Sequence, residues 1–215
     1  MTVRIAMVVG EASGDQLASH LISAIRARLP DVEFFGIGGP KMVGQGFADW
    51  FPSETLAVMG FSDALKRYRE LSGIRNTLKK RLLAAPPDIF IGVDAPDFNL
   101  DLEADLKARG IPTIHYVSPS IWAWRGGRIK KIRRAVSHIL ALFPFEPAIY
   151  EQAGVPVTYV GHPLADQLPM SPDRNGMRER LGLPATAPVF ALLPGSRQGE
   201  LRFLADVFIQ TAGLI

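Results

Sequence analysis

The sequence predicts an α/β fold, a parallel sheet with helices on both faces. Two observations carry it. Short apolar runs alternate along the chain with longer segments of helical periodicity, the order of successive strand–helix–strand units. The runs are apolar on consecutive residues instead of alternate ones, the pattern of strands covered on both sides.

The first strand spans Arg4–Val9 and stops at Gly10, after which polar Glu11, Ser13 and Asp15 lead into a helix over Gln16–Leu29. Glu33–Ile37 is the second strand and closes in Gly36-Ile-Gly-Gly39. A helix follows at Phe61–Leu83, where Leu65, Tyr68, Leu71, Ile74, Leu78 and Leu82 recur at helical spacing. After Pro86-Pro87, the apolar run Asp88–Val93 is the third strand, and Asp97-Phe-Asn99 opens a helix over Leu100–Arg109. Strands at Thr113–Val117, Ile139–Phe143 and Val157–Val160 alternate with helices at Gly127–Ala135 and Pro147–Ala153. Right-handed crossovers make this a Rossmann-like domain, assigned to residues 1–162. Residues 163–172, with Pro163, Pro169 and Pro172 and no periodicity, are a linker. Residues 173–215 begin a second α/β unit, with a helix at Asp173–Leu181, a strand at Val189–Leu193, a turn at Pro194-Gly-Ser-Arg197 and a helix from Glu200 onward. One strand with two helices cannot bury its own faces, so either this unit is incomplete or it packs on the first domain or on a partner.

A chain of 215 residues with 47% hydrophobic and 21% charged residues has ample material for a core. No charge-free apolar run reaches the roughly 18 residues that a membrane span needs. The first strand is too short for a signal-peptide core, so a non-exported, cytoplasmic protein is expected. The absence of cysteine excludes disulfides, thiolate metal sites and a Cys nucleophile. The net charge of +3 decides little, but basic residues gather at Lys66–Arg81 and at Arg125–Arg134.

Asp94 and Asp97 leave the end of the third strand together, where an open α/β sheet binds ligands. A carboxylate there either caps the helix or accepts a proton, and capping accounts for one Asp, not two. Gly10-Glu-Ala-Ser-Gly-Asp15 faces the same cleft, either as an anion site of free N–H groups or as a tight turn in which Ser13 and Asp15 cap the helix. Its spacing is not a dinucleotide fingerprint, and Ser13 does not lie in a nucleophile elbow.

The segment Ile114–Arg125 empties a strand into Ser118, Ser120, Trp122, Trp124 and Arg125. Aromatic faces stack on sugars or acyl chains, and Arg pairs with phosphate in a fork, so together these favour a binding loop; singly, each Trp and His115 is as well explained by the core. The apolar run Leu56–Phe61 leads into a helix with a basic polar face, which either lies on an anionic bilayer or turns its apolar stripe to the sheet. No nucleic-acid module surrounds the basic segments, so nucleic acid is not an expected partner. At Pro194–Glu200 the strand–turn–helix logic recurs with Arg197, which suits a diphosphate or is an exposed side chain on a glycine turn.

The segments GEASGD, MGFSDAL, VDAPDFN, HYVSPSIWAWR, FPFE, VGHPLAD and LLPGSR, in this order, closely resemble the lipid-A-disaccharide synthases, GT-B glycosyltransferases of two facing Rossmann-like domains. The resemblance runs from the first strand to the last residue and covers about the first half of that family's chain. It implies transfer of 2,3-diacylglucosamine from UDP-2,3-diacylglucosamine to 2,3-diacylglucosamine 1-phosphate (lipid X), with inversion, and without metal or cofactor. By the same resemblance Asp97 is the expected base and Asp94 its companion, either of which could exchange roles. Glu11, Ser13, Asn99, Ser118, Ser120, Trp122 and Arg125 would line the acceptor cleft, and Ser196 and Arg197 would meet the donor diphosphate. Val58, Met59, Phe61 and Leu65 would dock on the anionic cytoplasmic face of the inner membrane. The residues that would hold most of the UDP lie beyond Ile215, so the chain alone is expected to be inactive. Another UDP-sugar transferase or epimerase of this architecture, and a non-catalytic lipid-binding fragment, are the alternatives, and the oligomeric state is left open.

Overall fold

The structure, a computed structural model, describes residues 2–52, 56, 61–121, 126–195 and 198–214. Contacts divide the chain into two units, Met1–Val58 with Lys66–Pro163, and Met59–Leu65 with Leu164–Ile215.

The first unit is the predicted α/β sheet. Its strands are β1 (Arg4–Val9), β2 (Glu33–Gly38), β3 (Ala48–Pro52), β4 (Ile89–Val93), β5 (Thr113–Tyr116), β6 (His138–Ala141) and β7 (Val157–Tyr159), all parallel, in the order β3-β2-β1-β4-β5-β6-β7. The helices between them are α1 (Ala12–Arg26), α2 (Pro40–Val43), α3 (Phe61–Ala84), α4 (Pro96–Lys107), α5 (Ile129–Ala135) and α6 (Glu146–Gln152).

Period-two alternation sorts the apolar residues onto two faces. Ile5, Met7 and Val9 of β1 pack with Leu17, Ala18 and Ile22 of α1, while Ala6 and Val8 face Leu78 and Leu82 of α3 and Leu102 and Leu106 of α4. A third cluster joins Ile132 of α5, Ile139 of β6 and Tyr150 of α6. Each fully buried Leu or Ile contributes about 1.5–3 kcal/mol over exposure, which is why consecutive apolar residues were such a strong sign of strands.

The edge strand β3 and the short α2 were not expected. β3 is carried by its neighbours: Trp50 stacks on Phe35 at 4.9 Å, the Arg81 guanidinium lies 4.0 Å over the Trp50 ring, and Asp49 accepts from the Gly38 N–H at 3.2 Å. The start of α2 is capped from another element. Asp15 of α1 is buried and accepts from the Lys41 N–H and the Met42 N–H, both at 3.0 Å. The expectation that Ser13 and Asp15 cap α1 is thereby corrected: Glu11 is the N-cap residue, with no side-chain hydrogen bond into the helix, and Ser13 is exposed.

The second unit contains α7 (Pro163–Gln167), α8 (Arg174–Arg180) and α9 (Gln198–Ala212). Asp173 caps α8 by accepting from the Gly176 N–H at 2.9 Å, and Arg178 donates to the Ala187 carbonyl at 3.0 Å. The stretch read as a linker, 163–172, begins with the short α7, in which Pro163 suits a first helical turn. One expectation fails here: Val189–Leu193 is not a strand. No neighbouring strand among the described residues completes its ladder, and Phe190 and Leu193 remain 64% and 77% exposed.

Candidate active site

The strand order reverses between β1 and β4, so the connections leaving their carboxyl ends run apart and open a crevice, the usual ligand site of a doubly wound sheet. Val9 pairs with Val93, which brings Gly10 and Asp94 out of the sheet side by side. The two turns touch. A Cβ on Gly10 would come within 2.7 Å of the Ala95 Cβ, so glycine is what allows the approach.

Backbone strain gathers at these strand ends. Asp94 has φ 51° and Ala95 φ 43°, and on the next strand Val117 has φ 77°. None is glycine, and a β-branched residue in that region is a true outlier. Such residues cost on the order of 1–3 kcal/mol each and persist where the surroundings enforce them. Here the enforcement is visible: the Asn99 amide donates to the Asp94 carbonyl at 2.8 Å and to the Val8 carbonyl at 3.4 Å, and the Asp94 N–H donates to the Tyr116 carbonyl at 2.9 Å. Asn99 is fully buried, so it braces the turn from below and does not line the crevice as expected.

The two carboxylates differ in setting. Asp94 is half-buried, whereas Asp97, in the first turn of α4, has a side chain 78% exposed and is ion-paired with Arg128. Asp97, Asp101 and Asp105 recur every four residues and make an acidic ridge along α4. Arg75 and Lys131 meet Asp101 at 2.9 and 2.6 Å, and Lys79 meets Asp105 at 2.8 Å. Four of the basic residues gathered on α3 and around α5 are thus turned toward α4. Lys80, Lys130, Arg133 and Arg134 remain exposed.

Under the crevice lies a buried polar layer. His115 of β5 and Glu103 of α4 are both fully buried, with Nδ1 and Oε1 2.7 Å apart. Gly92, opposite His115 across the β4–β5 ladder, makes room for them: a Cβ there would fall 2.2 Å from Glu103 Oε1. His115 Nε2, Glu103 Oε2 and Asn99 Oδ1 make no hydrogen bond among the described residues. His115 therefore belongs to the interior.

Ser118 is buried and hydrogen-bonded at 2.8 Å to the Tyr150 phenol, while Ser120 is exposed. Burial pushes the Tyr150 pKa up to about 12, the Ser118 hydrogen bond opposing the rise and Glu146 adding to it. Burial also raises Tyr116. Glu146, of the FPFE segment, accepts from the Phe143 N–H at 3.0 Å and ties the turn after β6 to α6.

Glu11, half-buried, and Ser13, exposed, stand at the β1 turn beside Asp94, whereas Asp97 lies in the first turn of α4 against Arg128. Val58, Met59, Trp122, Arg125, Ser196 and Arg197 lie outside the described residues, as do the side chains of Phe61 and Leu65. Arg128 was read as one of a basic run, not as the partner of Asp97; the four-residue spacing of the α4 acids beside two basic segments was the available sign. Another cavity, lined by Arg26, Asp31, Glu33, Phe34 and Trp50, opens where β2 and β3 begin, the end of a parallel sheet that does not ordinarily carry chemistry. Among the described residues no cluster of His, Asp or Glu suits a metal ion, and no helix is long and apolar enough to cross a membrane.

The family model described as lipid-A-disaccharide synthetase matches residues 5–215. A lipid-A-disaccharide synthase of Dechloromonas aromatica (strain RCB) is 67% identical over 213 residues, covering 99% of this chain and 56% of the relative. That of Azoarcus sp. (strain BH72) is 66% identical over 215 residues, covering 100% and 55%. The chain thus spans about half the length of these relatives. Among solved structures, UDP-GlcNAc 2-epimerase from Neisseria meningitidis bound to UDP-GlcNAc superposes with TM-score 0.54 at 10% identity, over 85% of this chain and 53% of that one. TcCGT1 in complex with UDP gives 0.54 at 13% identity, over 85% and 55%. At such identities the likeness is one of fold alone, a Rossmann-like α/β architecture.

Proposed function

This chain belongs to the lipid-A-disaccharide synthetase family, and on that premise we propose that the protein is an inverting glycosyltransferase joining UDP-2,3-diacylglucosamine to 2,3-diacylglucosamine 1-phosphate. What supports the reading most is the crevice between β1 and β4, where the Gly10 and Ala95 turns meet and a braced, left-handed turn carries Asp94, with Asp97 in the first turn of the helix that follows.

A sugar hydroxyl is a poor nucleophile and must lose its proton as it attacks. In the proposed step Asp97 takes the proton of the acceptor 6-hydroxyl while that oxygen bonds the anomeric carbon from the face opposite UDP. The anomeric C–O bond breaks, and its electron pair leaves on the diphosphate. The exposure of Asp97 favours it as the base, and half-buried Asp94, whose backbone is held by Asn99 and Tyr116, suits orientation of the acceptor. Ser196 and Arg197 would stabilise charge growing on the departing diphosphate. Residues 1–215 alone are proposed to hold acceptor and to turn nothing over. Both substrates carry acyl chains, so the protein is proposed to work on the cytoplasmic face of the inner membrane, touching it through Val58, Met59, Phe61 and Leu65 and the exposed Lys130, Arg133 and Arg134.

The test uses a chain of the relatives' full length. Asp97→Asn is expected to lower kcat by about 10²–10⁴, the usual contribution of a general base, and Asp94→Asn to raise KM more than it lowers kcat. Unaltered disaccharide synthesis by Asp97→Asn would overturn the assignment. The same preparation is expected to sediment with anionic vesicles and to be released by salt; indifference to vesicles would remove the membrane part of the proposal.

A further inference from the structure

The Asp97–Arg128 pair is unequal. The Arg128 side chain is 19% exposed and the Asp97 side chain 78% exposed, so the guanidinium is the enclosed partner and the carboxylate is the one open to solvent, free to swing away. Among the described residues the other carboxylates of the α4 ridge have basic partners of their own. Asp101 takes both Arg75 at 2.9 Å and Lys131 at 2.6 Å, and Asp105 takes Lys79 at 2.8 Å, which leaves the Arg128 guanidinium facing the one carboxylate that the proposed reaction needs for itself. Arg75 also lies close, donating to the Asp97 carbonyl at 3.5 Å.

An ion pair with one strongly exposed member is weak, about 0–1 kcal/mol. A phosphomonoester carries nearly twice the charge of a carboxylate and offers the oxygen spacing that a guanidinium fork matches. It would therefore displace Asp97 from Arg128. We propose that Arg128 is the residue that recognises the phosphate of the acceptor, and that Asp97 occupies its guanidinium until that phosphate arrives. This rests on the reading of a phosphorylated sugar acceptor. No bond is made or broken in the exchange: one anion replaces another at the guanidinium, and the freed carboxylate becomes available as a proton acceptor. An acceptor without phosphate leaves Asp97 paired, so phosphate recognition and activation of the base become the same event.

Two measurements test it. The first compares kcat/KM for the acceptor with and without its phosphate, in a full-length chain and its Arg128→Ala and Arg128→Lys variants. The preference for the phosphorylated acceptor is expected to fall at least about tenfold in Arg128→Ala and to be recovered only in part by Arg128→Lys, which keeps the charge and loses the fork. An equal loss on both acceptors, with the preference intact, overturns the inference. The second titrates inorganic phosphate and glucosamine 1-phosphate calorimetrically, without donor. Arg128→Ala is expected to weaken binding, and Asp97→Asn to tighten it about fivefold, because the competing carboxylate is gone. Unchanged affinity in Asp97→Asn refutes the exchange. If no transfer were detected with either acceptor while the two affinities moved in opposite directions as stated, the glycosyltransferase reading would fall and the anion site would stand.

Discussion

Glu103 and His115 are both fully buried and meet at 2.7 Å, so removing either one strands the other beneath the crevice. Glu103→Leu leaves the imidazole with neither ring nitrogen bonded, since Nε2 already lacks a partner among the described residues; His115→Leu does the same to the carboxylate, whose Oε2 is in that state already. A buried polar group deprived of its partner costs about 1–3 kcal/mol if neutral and about 3–5 kcal/mol if charged. Each single variant is therefore expected to lose about 3 kcal/mol, which for a chain of this size lowers Tm by roughly 10 °C. The double variant removes both polar groups at once and is expected to lose less than the sum of the singles, by about 2 kcal/mol or more. Urea unfolding followed by circular dichroism measures all four proteins. Additive losses would refute the claim that the two groups are held by each other and not merely by their separate surroundings.

Two further outcomes follow from the same geometry. Gly10→Ala places a Cβ 2.7 Å from that of Ala95, so one turn must move; about 1–3 kcal/mol of stability should be lost, and full-length activity should fall further than stability explains, whereas Ser13→Ala at the exposed face of the same turn should leave unfolding unchanged in urea titrations. Burial raises the Tyr150 pKa from 10.0 to about 12, so the folded state holds its phenolic proton where the unfolded chain has lost it. Its contribution is fully present below pH 10 and is lost as pH rises from there to about 12, roughly 2–3 kcal/mol in all. Alkaline unfolding of Tyr150→Phe should lack that component, and an identical pH dependence in both proteins would contradict it.

Much of the architecture was legible along the chain because burial writes itself into composition. A strand covered on both faces must be apolar throughout, so Arg4–Val9 and the run ending at Val93 were placed by their residues alone. The order of strands and helices then set the β1–β4 crevice, and with it the neighbourhood of Asp94 and Asp97. β3 escaped because Asp49 and Pro52 interrupt its apolar run, and its stability comes from Phe35 and Arg81, distant in sequence. Val189–Leu193 has the composition of a strand, but among the described residues no adjacent strand completes its ladder.

The division at the crevice is of the same kind. Sequence alone determined which residue types stand at the strand ends, and the ordered motifs determined the family. Tertiary structure decided what each polar side chain serves: Asp15 caps a helix other than its own, Asn99 braces a left-handed turn, Glu103 and His115 form an internal pair, and Asp97 faces Arg128. Apolar burial is a sum over area and leaves a periodic trace in the sequence. A hydrogen bond or ion pair depends on two atoms meeting at about 3 Å, and that distance exists only once the chain has folded.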